Sequence, residues 1–506
     1  MKFHFKGVAV LALGIVLLGS VSAYAATANR QLANRNPTTS ATPIKHLIII
    51  FGENVSFDHY FGTYPYAQNP SGEPYFKASP NTPSVNGLSP ALLTANPNAA
   101  NPTRLDRSQA LTCDQNHNYL NEQKAFDHGL MDQFVQSASG GSCTDKSIVM
   151  DYYDGNTVTG LWNYAQHYAM SDNSFDTVFG PSTPGALNLI SGQTNGATPA
   201  AIPNQVSNST MIGDARPVYD DCSVAEGGST ASMSGTNVGN LLNAHGITWG
   251  WFQGGFKPTS TTNGVAVCGS SHPNIGGTVV TDYIPHHEPF QYYQSTANPH
   301  HLPPTSIAMI GKTDQANHQY DLSNFWQAAN NGSMPAVNFL KAPAYQDGHA
   351  GYSDPLDEQQ FLVDTINHLQ KLPTWSSTAV IVAYDDSDGW YDHVLGPIVS
   401  QSNDPTYDAL SDPGQCGTLK AGAYPDRCGY GPRLPLLVIS PFAKVNFVDH
   451  SSTDQSSILR FIEDNWNLGR IGNQSFDAIA GSLGNLFNFS GNHQAAPLFL
   501  NPTTGN

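Results

Sequence analysis

The sequence is poor in positive charge: 21 lysines and arginines stand against 39 aspartates and glutamates in 506 residues, a formal net charge of −18. So acidic a chain argues against nonspecific nucleic-acid binding through a basic face. Any site for an anion must also do without an arginine clamp, and the 18 histidines, helped by metal, are the natural substitutes. Long apolar runs are equally scarce, and beyond the N-terminal leader none is long enough to span a bilayer. Internal repeats, heptads and blocks of like charge are missing as well. Cys-x-x-Cys does not occur, so the six cysteines do not read as a thiolate metal site.

The leader is the exception to the lack of apolar runs. Lys2 and Lys6 precede an apolar stretch over 7–18, and Ala23-Tyr24-Ala25 completes an export signal spanning 1–25. The mature chain is therefore expected in the periplasm or outside the cell, without a lipid anchor because no cysteine lies near the cut. In that oxidising setting an even number of cysteines predicts disulfides, and sequence proximity favours Cys113 with Cys143, Cys222 with Cys268, and Cys416 with Cys428.

Strand-like apolar runs recur at 47–51, 247–252, 336–340, 379–383 and 434–440. Between them Phe361, Leu362, Ile366 and Leu369 repeat on one helical face, as do Ile458, Leu459, Ile462 and Trp466. Alternating strands and helices predict an α/β fold with a mostly parallel sheet covered on both sides. Pro-, Gly-, Asn- and Ser-rich stretches at 68–104, 192–236 and 254–279 predict long surface insertions of the kind that form lids or binding walls. No linker divides the chain.

Chemistry concentrates where strands end. Directly after the run 46–51 comes Gly52-Glu53-Asn54-Val55-Ser56-Phe57-Asp58-His59-Tyr60-Phe61, which delivers a carboxylate and a carboxamide to a strand's C-terminal end, the edge where open α/β sheets bind ligands. Gly180-Pro181-Ser182-Thr183-Pro184-Gly185 sets Ser182 where a turn enters a helix, whose positive end favours an alkoxide there. Pro285-His286-His287-Glu288 and Asp347-Gly348-His349 supply imidazoles that can donate to an anion or pass a proton. After the apolar run 379–383, Tyr384-Asp385-Asp386-Ser387-Asp388-Gly389-Trp390-Tyr391-Asp392-His393 places two adjacent acids that repel unless a cation relieves them. His117 follows Cys113 closely enough to be fixed at the base of a disulfide loop. Taken singly, each segment reads as an ordinary cap, surface histidine pair or acidic turn; together they read as a site.

In this order the segments resemble the bacterial phosphoesterase family that contains secreted acid phosphatases and phosphatidylcholine-type phospholipases C. The Glu-Asn-x-Ser-Phe-Asp-x-Tyr-Phe-Gly box from Glu53, the Gly-Pro-Ser turn and the paired acids before Gly-Trp-Tyr-Asp-His carry the likeness, which covers nearly all of the mature chain. The resemblance implies an alkaline-phosphatase-like three-layer α/β/α sandwich with long loop insertions, residues 26–506 forming one catalytic domain. It implies Ser182 as the nucleophile that takes up the phosphoryl group. Glu53, Asp385 and Asp386, completed by the Ser182 oxygen, would hold a divalent metal, whether Ca²⁺, Mg²⁺ or Zn²⁺. Asn54, His117, His286, His287 and His349 would hold phosphoryl oxygens or protonate the leaving group, with His287 or His349 as the acid. Two departures are visible: many relatives continue the nucleophile turn with Pro-Asn-Arg where this chain has Pro184-Gly185-Ala186, and phospholipase members commonly use Thr and Asp-Glu where it has Ser182 and Asp385-Asp386.

The expected activity is hydrolysis of a small phosphomonoester through a phosphoserine, with an acidic optimum. Phospholipase C action on a phospholipid is the alternative, and a secreted, non-catalytic ligand-binding protein is the alternative of another class. A sulfatase site is disfavoured because Ser182-Thr183-Pro184-Gly185-Ala186 lacks the required Arg, and a Ser-His-Asp hydrolase because Ser182 is not in Gly-x-Ser-x-Gly.

Overall fold

The computed structural model describes Met1 and residues 39–226, 228–490 and 494–506; the export signal read over 1–25 lies outside the described residues apart from Met1. The core is an eight-stranded sheet of β1 (His46–Gly52), β2 (Ala169–Ser171), β3 (Trp249–Gln253), β4 (Gln319–Asp321), β5 (Val337–Lys341), β6 (Thr378–Tyr384), β7 (Leu436–Ile439) and β8 (Phe447–Asp449). Their spatial order is β4-β3-β5-β1-β6-β7-β2-β8. The five strands from β4 to β6 run parallel. β7 is antiparallel to both its neighbours, so the sheet is mixed at the side where the apolar run 434–440 enters it.

Central strands buried on both faces read as continuous apolar runs. Thus β6 (TAVIVAY) is buried at every position and β1 (HLIIIFG) at all but His46. Side chains of opposite parity serve opposite layers. Phe252 stacks on Tyr320 and meets Phe325 of α4 (Leu322–Asn330), while Trp249 and Trp251 meet Phe290 on the other side. The first layer continues through the Trp326–His368 ring contact to α5 (Pro355–Leu369), whose Gln359 accepts from Gly160 N of α2 (Thr159–His167) at 2.8 Å. The second layer contains α3 (Ser182–Ser191), packed on α6 (Gln455–Trp466). The chain is a three-layer α/β/α sandwich.

Local signals set the helix ends. Asp354 caps α5 by accepting from the backbone of Leu356 and Asp357, with Pro355 at the first helical position. Asp454 opens α6 with a capping box, and Asn467 closes it in the left-handed region at φ 55°. The insertions carry two short hairpins, Ser260–Thr262 with Val265–Val267 and Ser271–Pro273 with Val279–Thr281. All three disulfides form as sequence proximity indicates.

Candidate active site

Parallel strands with their C-termini at one edge bring three chain segments together. In register, Gly52 lies beside Tyr384 and Ile50 beside Leu340, so Glu53, Asp385 and Lys341 emerge as neighbours. Ser182, in the first turn of α3, closes the group from the helical layer. A side-chain carbon at position 185 would stand 2.0 Å from the Asp385 carbonyl oxygen, so glycine there lets that first turn press against the strand end.

Ser182 is only 2% exposed. Its hydroxyl lies 3.0 Å from Asp386 Oδ2 and 3.2 Å from Glu53 Oε2. Asn54, held at φ 44°, sits among the same carboxylates. Its amide nitrogen, in the orientation that satisfies both ends, donates to Glu53 Oε2 at 2.7 Å, Asp385 Oδ1 at 2.9 Å and Asp386 Oδ2 at 3.2 Å, and its oxygen accepts from His349 Nε2 at 3.0 Å. The remaining oxygens are turned elsewhere: Glu53 Oε1 and Asp385 Oδ2 to Lys341 Nζ, and Asp386 Oδ1 to the Asp388 backbone at 2.7 Å.

The histidines surround this group. His287 Nδ1 is 3.2 Å from Glu53 Oε1 and 4.0 Å from Asp347 Oδ2. His286, half-buried, meets His287 edge-on at 4.5 Å. His349 stacks on Tyr352 at 4.4 Å, and its ring stands 5.9 Å from that of His117. His117 Nδ1 is 3.2 Å from Asp388 Oδ1 and 3.1 Å from the Gln115 carbonyl oxygen, to which it donates, the loop being tied by Cys113–Cys143. A cavity of about 600 Å³ opens to solvent past His286, His287, His349 and Tyr352.

Charge is out of balance here. Burial drives Glu53 well above the usual carboxylate range, and Asp385 adds to this against the pull of Lys341. Burial likewise raises Asp386, with Asp385 reinforcing it and His117 opposing, and raises Asp347 despite Lys341. Among the imidazoles, burial and the neighbouring His286 and Lys341 push His287 well down, and burial with His117 takes His349 to about 4. His117 goes the other way: burial alone would lower it, but Asp386 and Asp388 hold it well above an ordinary histidine.

All of Glu53, Asn54, His117, Ser182, His286, His287, His349, Asp385 and Asp386 therefore converge. Lys341 was not anticipated; its only sequence signal is a lysine ending the buried, mostly apolar β5. Asp347 and Asp388 stand inside recognised motifs, but their contacts to His287 and His117 depend on distant segments. Other motif residues serve a different purpose. Asp58, Asp392 and His393 surround the buried guanidinium of Arg433, and His59 stacks on Trp390 at 3.8 Å, which bolts the two sequence boxes together.

The oxygen-rich set fits a divalent cation. Glu53, Asp385, Asp386 and Ser182 present hard oxygen ligands, and burial, reinforced by the nearby Asp385, raises Glu53 and Asp386, a charge penalty that such an ion relieves.

Among curated proteins, the chain is 26% identical over 478 residues to the non-hemolytic phospholipase C of Burkholderia pseudomallei, covering 90% of this chain and 61% of that one. It is 25% identical to the enzyme of the same name from Pseudomonas aeruginosa, covering 88% of this chain and 57% of the relative. It thus spans about three fifths of the length of these relatives. Among solved structures, murine ectonucleotide pyrophosphatase / phosphodiesterase 5 aligns with 65% of this chain and 95% of its own, at 11% identity and a TM-score of 0.32, too low to argue from. The profile of the phosphoesterase family matches residues 44–469, and the chain belongs to that family.

Proposed function

We propose that this protein hydrolyses phosphoric esters through a phosphorylated Ser182, and that its substrate is a small phosphomonoester. The observation that carries the reading is the Ser182 hydroxyl, 3.0 and 3.2 Å from two buried carboxylates at the head of a helix and facing a ring of imidazoles.

Glu53, Asp385, Asp386 and the Ser182 oxygen would hold a divalent cation, their carboxylates oriented by the Asn54 amide N–H groups, and the ion when bound would supply Lewis-acid stabilisation of negative charge on the serine and phosphoryl oxygens. The chain's own groups do the rest. Ser182 attacks phosphorus in line as its proton passes to a carboxylate oxygen, and the positive end of α3 favours the charge that develops. His287 and His349, neutral near pH 7, orient the phosphoryl oxygens by hydrogen bonding. His117 is the imidazole poised to carry a proton, so it, rather than His287 or His349, is assigned as the acid for the leaving oxygen. His286 lines the approach. Water then cleaves the phosphoserine by the same groups in reverse.

A second reading, phospholipase C action on a lipid diester, is favoured by the apolar residues at the cavity mouth and by the names of the relatives. Leu111 is 43% exposed, and the adjoining hairpin tip carries Ile275 and Val279 at 55% and 68%. Asn274 ties that tip to Tyr352 O at 3.1 Å, beside the cavity. Comparing p-nitrophenyl phosphate with p-nitrophenyl phosphorylcholine, for wild type and Ser182→Ala, tests both readings. The proposal predicts faster monoester turnover, abolished in the variant. Faster diester turnover moves the assignment to phospholipase C, and equal activity of the two proteins removes Ser182 from the chemistry.

A further inference from the structure

Lys341 belongs to no motif, yet it sits at the centre of the charge arrangement. Its stem runs from the end of β5 past the Phe51 ring, 5.2 Å from the centroid, and its ammonium is buried. Nζ pairs with Glu53 Oε1 and lies 3.3 Å from Asp385 Oδ2 and 3.5 Å from Gly52 O. Glu53 thus turns one oxygen to Lys341 and the other to Ser182 and Asn54, and Asp385 turns one to Lys341 and the other to Asn54.

On Lys341's side of Glu53 stand further ligand atoms. Glu53, His287 and Asp347 offer a nitrogen and two carboxylate oxygens within 4.8 Å of one another, a set that suits zinc. Phosphoryl-transfer sites with two metals use such adjoining sets about 3.5–4 Å apart, the ions clamping the entering and leaving oxygens. Here an ammonium, a compact point charge, already neutralises the shared carboxylate.

We infer that Lys341 is a built-in counter-cation standing where a second metal ion would otherwise bind, so that its pairing with Glu53 and Asp385 restricts this site to a single ion. The inference rests on the metal-assisted reading above. It makes Lys341 a positioning residue: it fixes which oxygen of Glu53 faces Ser182 and which oxygen of Asp385 faces Asn54, and it leaves His287 free of metal to meet substrate.

The test is zinc stoichiometry of the full chain, stripped with chelator, reloaded with Zn²⁺ alone and measured by elemental analysis after removal of weakly held ions. Wild type is expected to retain one ion, Lys341→Ala two, Lys341→Arg one, and Lys341→Ala combined with His287→Ala one again. His287→Ala alone stays at one, because the first ion is held by oxygens. Two ions in wild type overturn the inference without reference to any Lys341 variant, which covers the case that Lys341→Ala fails to fold. One ion in both wild type and a folded Lys341→Ala overturns the role of Lys341 and leaves the metal-assisted reading intact; no ion in wild type overturns both.

Discussion

Two buried carboxylate clusters draw on the same pair of sequence boxes and differ in how fully their charge is paired. Around Arg433, Asp58 and Asp392 are matched by a guanidinium and an imidazole: Nη2 reaches Asp58 Oδ1 at 3.1 Å and Asp392 Oδ2 at 3.0 Å, and His393 Nδ1 reaches Asp58 Oδ2 at 2.6 Å. Nη1 donates to Asn86 O at 2.7 Å and Asp172 O at 2.9 Å, and Nε donates to Asp392 Oδ1 at 3.1 Å. Asp58 ends below its ordinary value, because His393 and Arg433 overcome the upward push of burial, while at Asp392 burial still wins over Arg433 and the shift is upward. Around Ser182, Glu53, Asp347 and Asp386 are all driven upward, with Lys341 and His117 too few to balance them. Motif membership therefore does not separate scaffold from chemistry. Charge pairing does: the paired cluster holds the boxes together, and the underpaired one is where the proposed cation and phosphoryl group would sit.

The largest effect expected from breaking the underpaired cluster is on turnover. Ser182→Ala should lower kcat for p-nitrophenyl phosphate by at least about a thousandfold, as loss of a nucleophile does elsewhere, with the unfolding midpoint little changed. Breaking the paired cluster should instead cost stability. Arg433→Met strands Asp58 and Asp392 and is expected to remove roughly 3–5 kcal/mol in urea unfolding, the usual penalty for an uncompensated buried charge.

Asp386→Asn sharpens the contrast, since it should reduce metal uptake and turnover yet raise the unfolding midpoint of the chelator-treated protein by relieving repulsion with Asp385. A lowered midpoint would show that Asp386 is balanced as Asp58 is.

The smallest effect concerns pH. Glu358, which accepts from Tyr60 and Tyr384 beneath the strand ends, is raised by burial from 4.5 to about 8. A raised carboxylate binds more protons folded than unfolded, so its penalty begins near pH 4.5 and grows until about pH 8. Chelator-treated Glu358→Gln should gain on wild type across that window and run parallel to it above. Asp58 has the opposite sign: its lowered value contributes stability above its unfolded pKa of 3.8, which is lost as pH falls through the folded value. Urea midpoints against pH resolve both.

Much of this was legible in the sequence for definite physical reasons. Doubly buried strands such as β1 and β6 leave apolar runs, and strand-end Glu53, Asp385 and Asp386 follow from reading where those runs stop. The strands β2, β4 and β8 were not visible, because three residues show no period. Arg433 and Lys341 were missed for a related reason: a lone basic residue at the end of an apolar segment acquires meaning only from carboxylates that the fold brings to it from elsewhere in the chain. The histidines were found, but their division into one protonated ring and two neutral ones depends on which acids face them, as Asp386 and Asp388 face His117.

The central claim is that Ser182 takes up the phosphoryl group. Acid quenching during steady turnover of p-nitrophenyl phosphate, followed by peptide mass spectrometry, tests it directly. A phosphoryl group on the peptide carrying Ser182, absent without substrate, is the predicted result. Continued turnover with that peptide unmodified, and undiminished in Ser182→Ala, would contradict it.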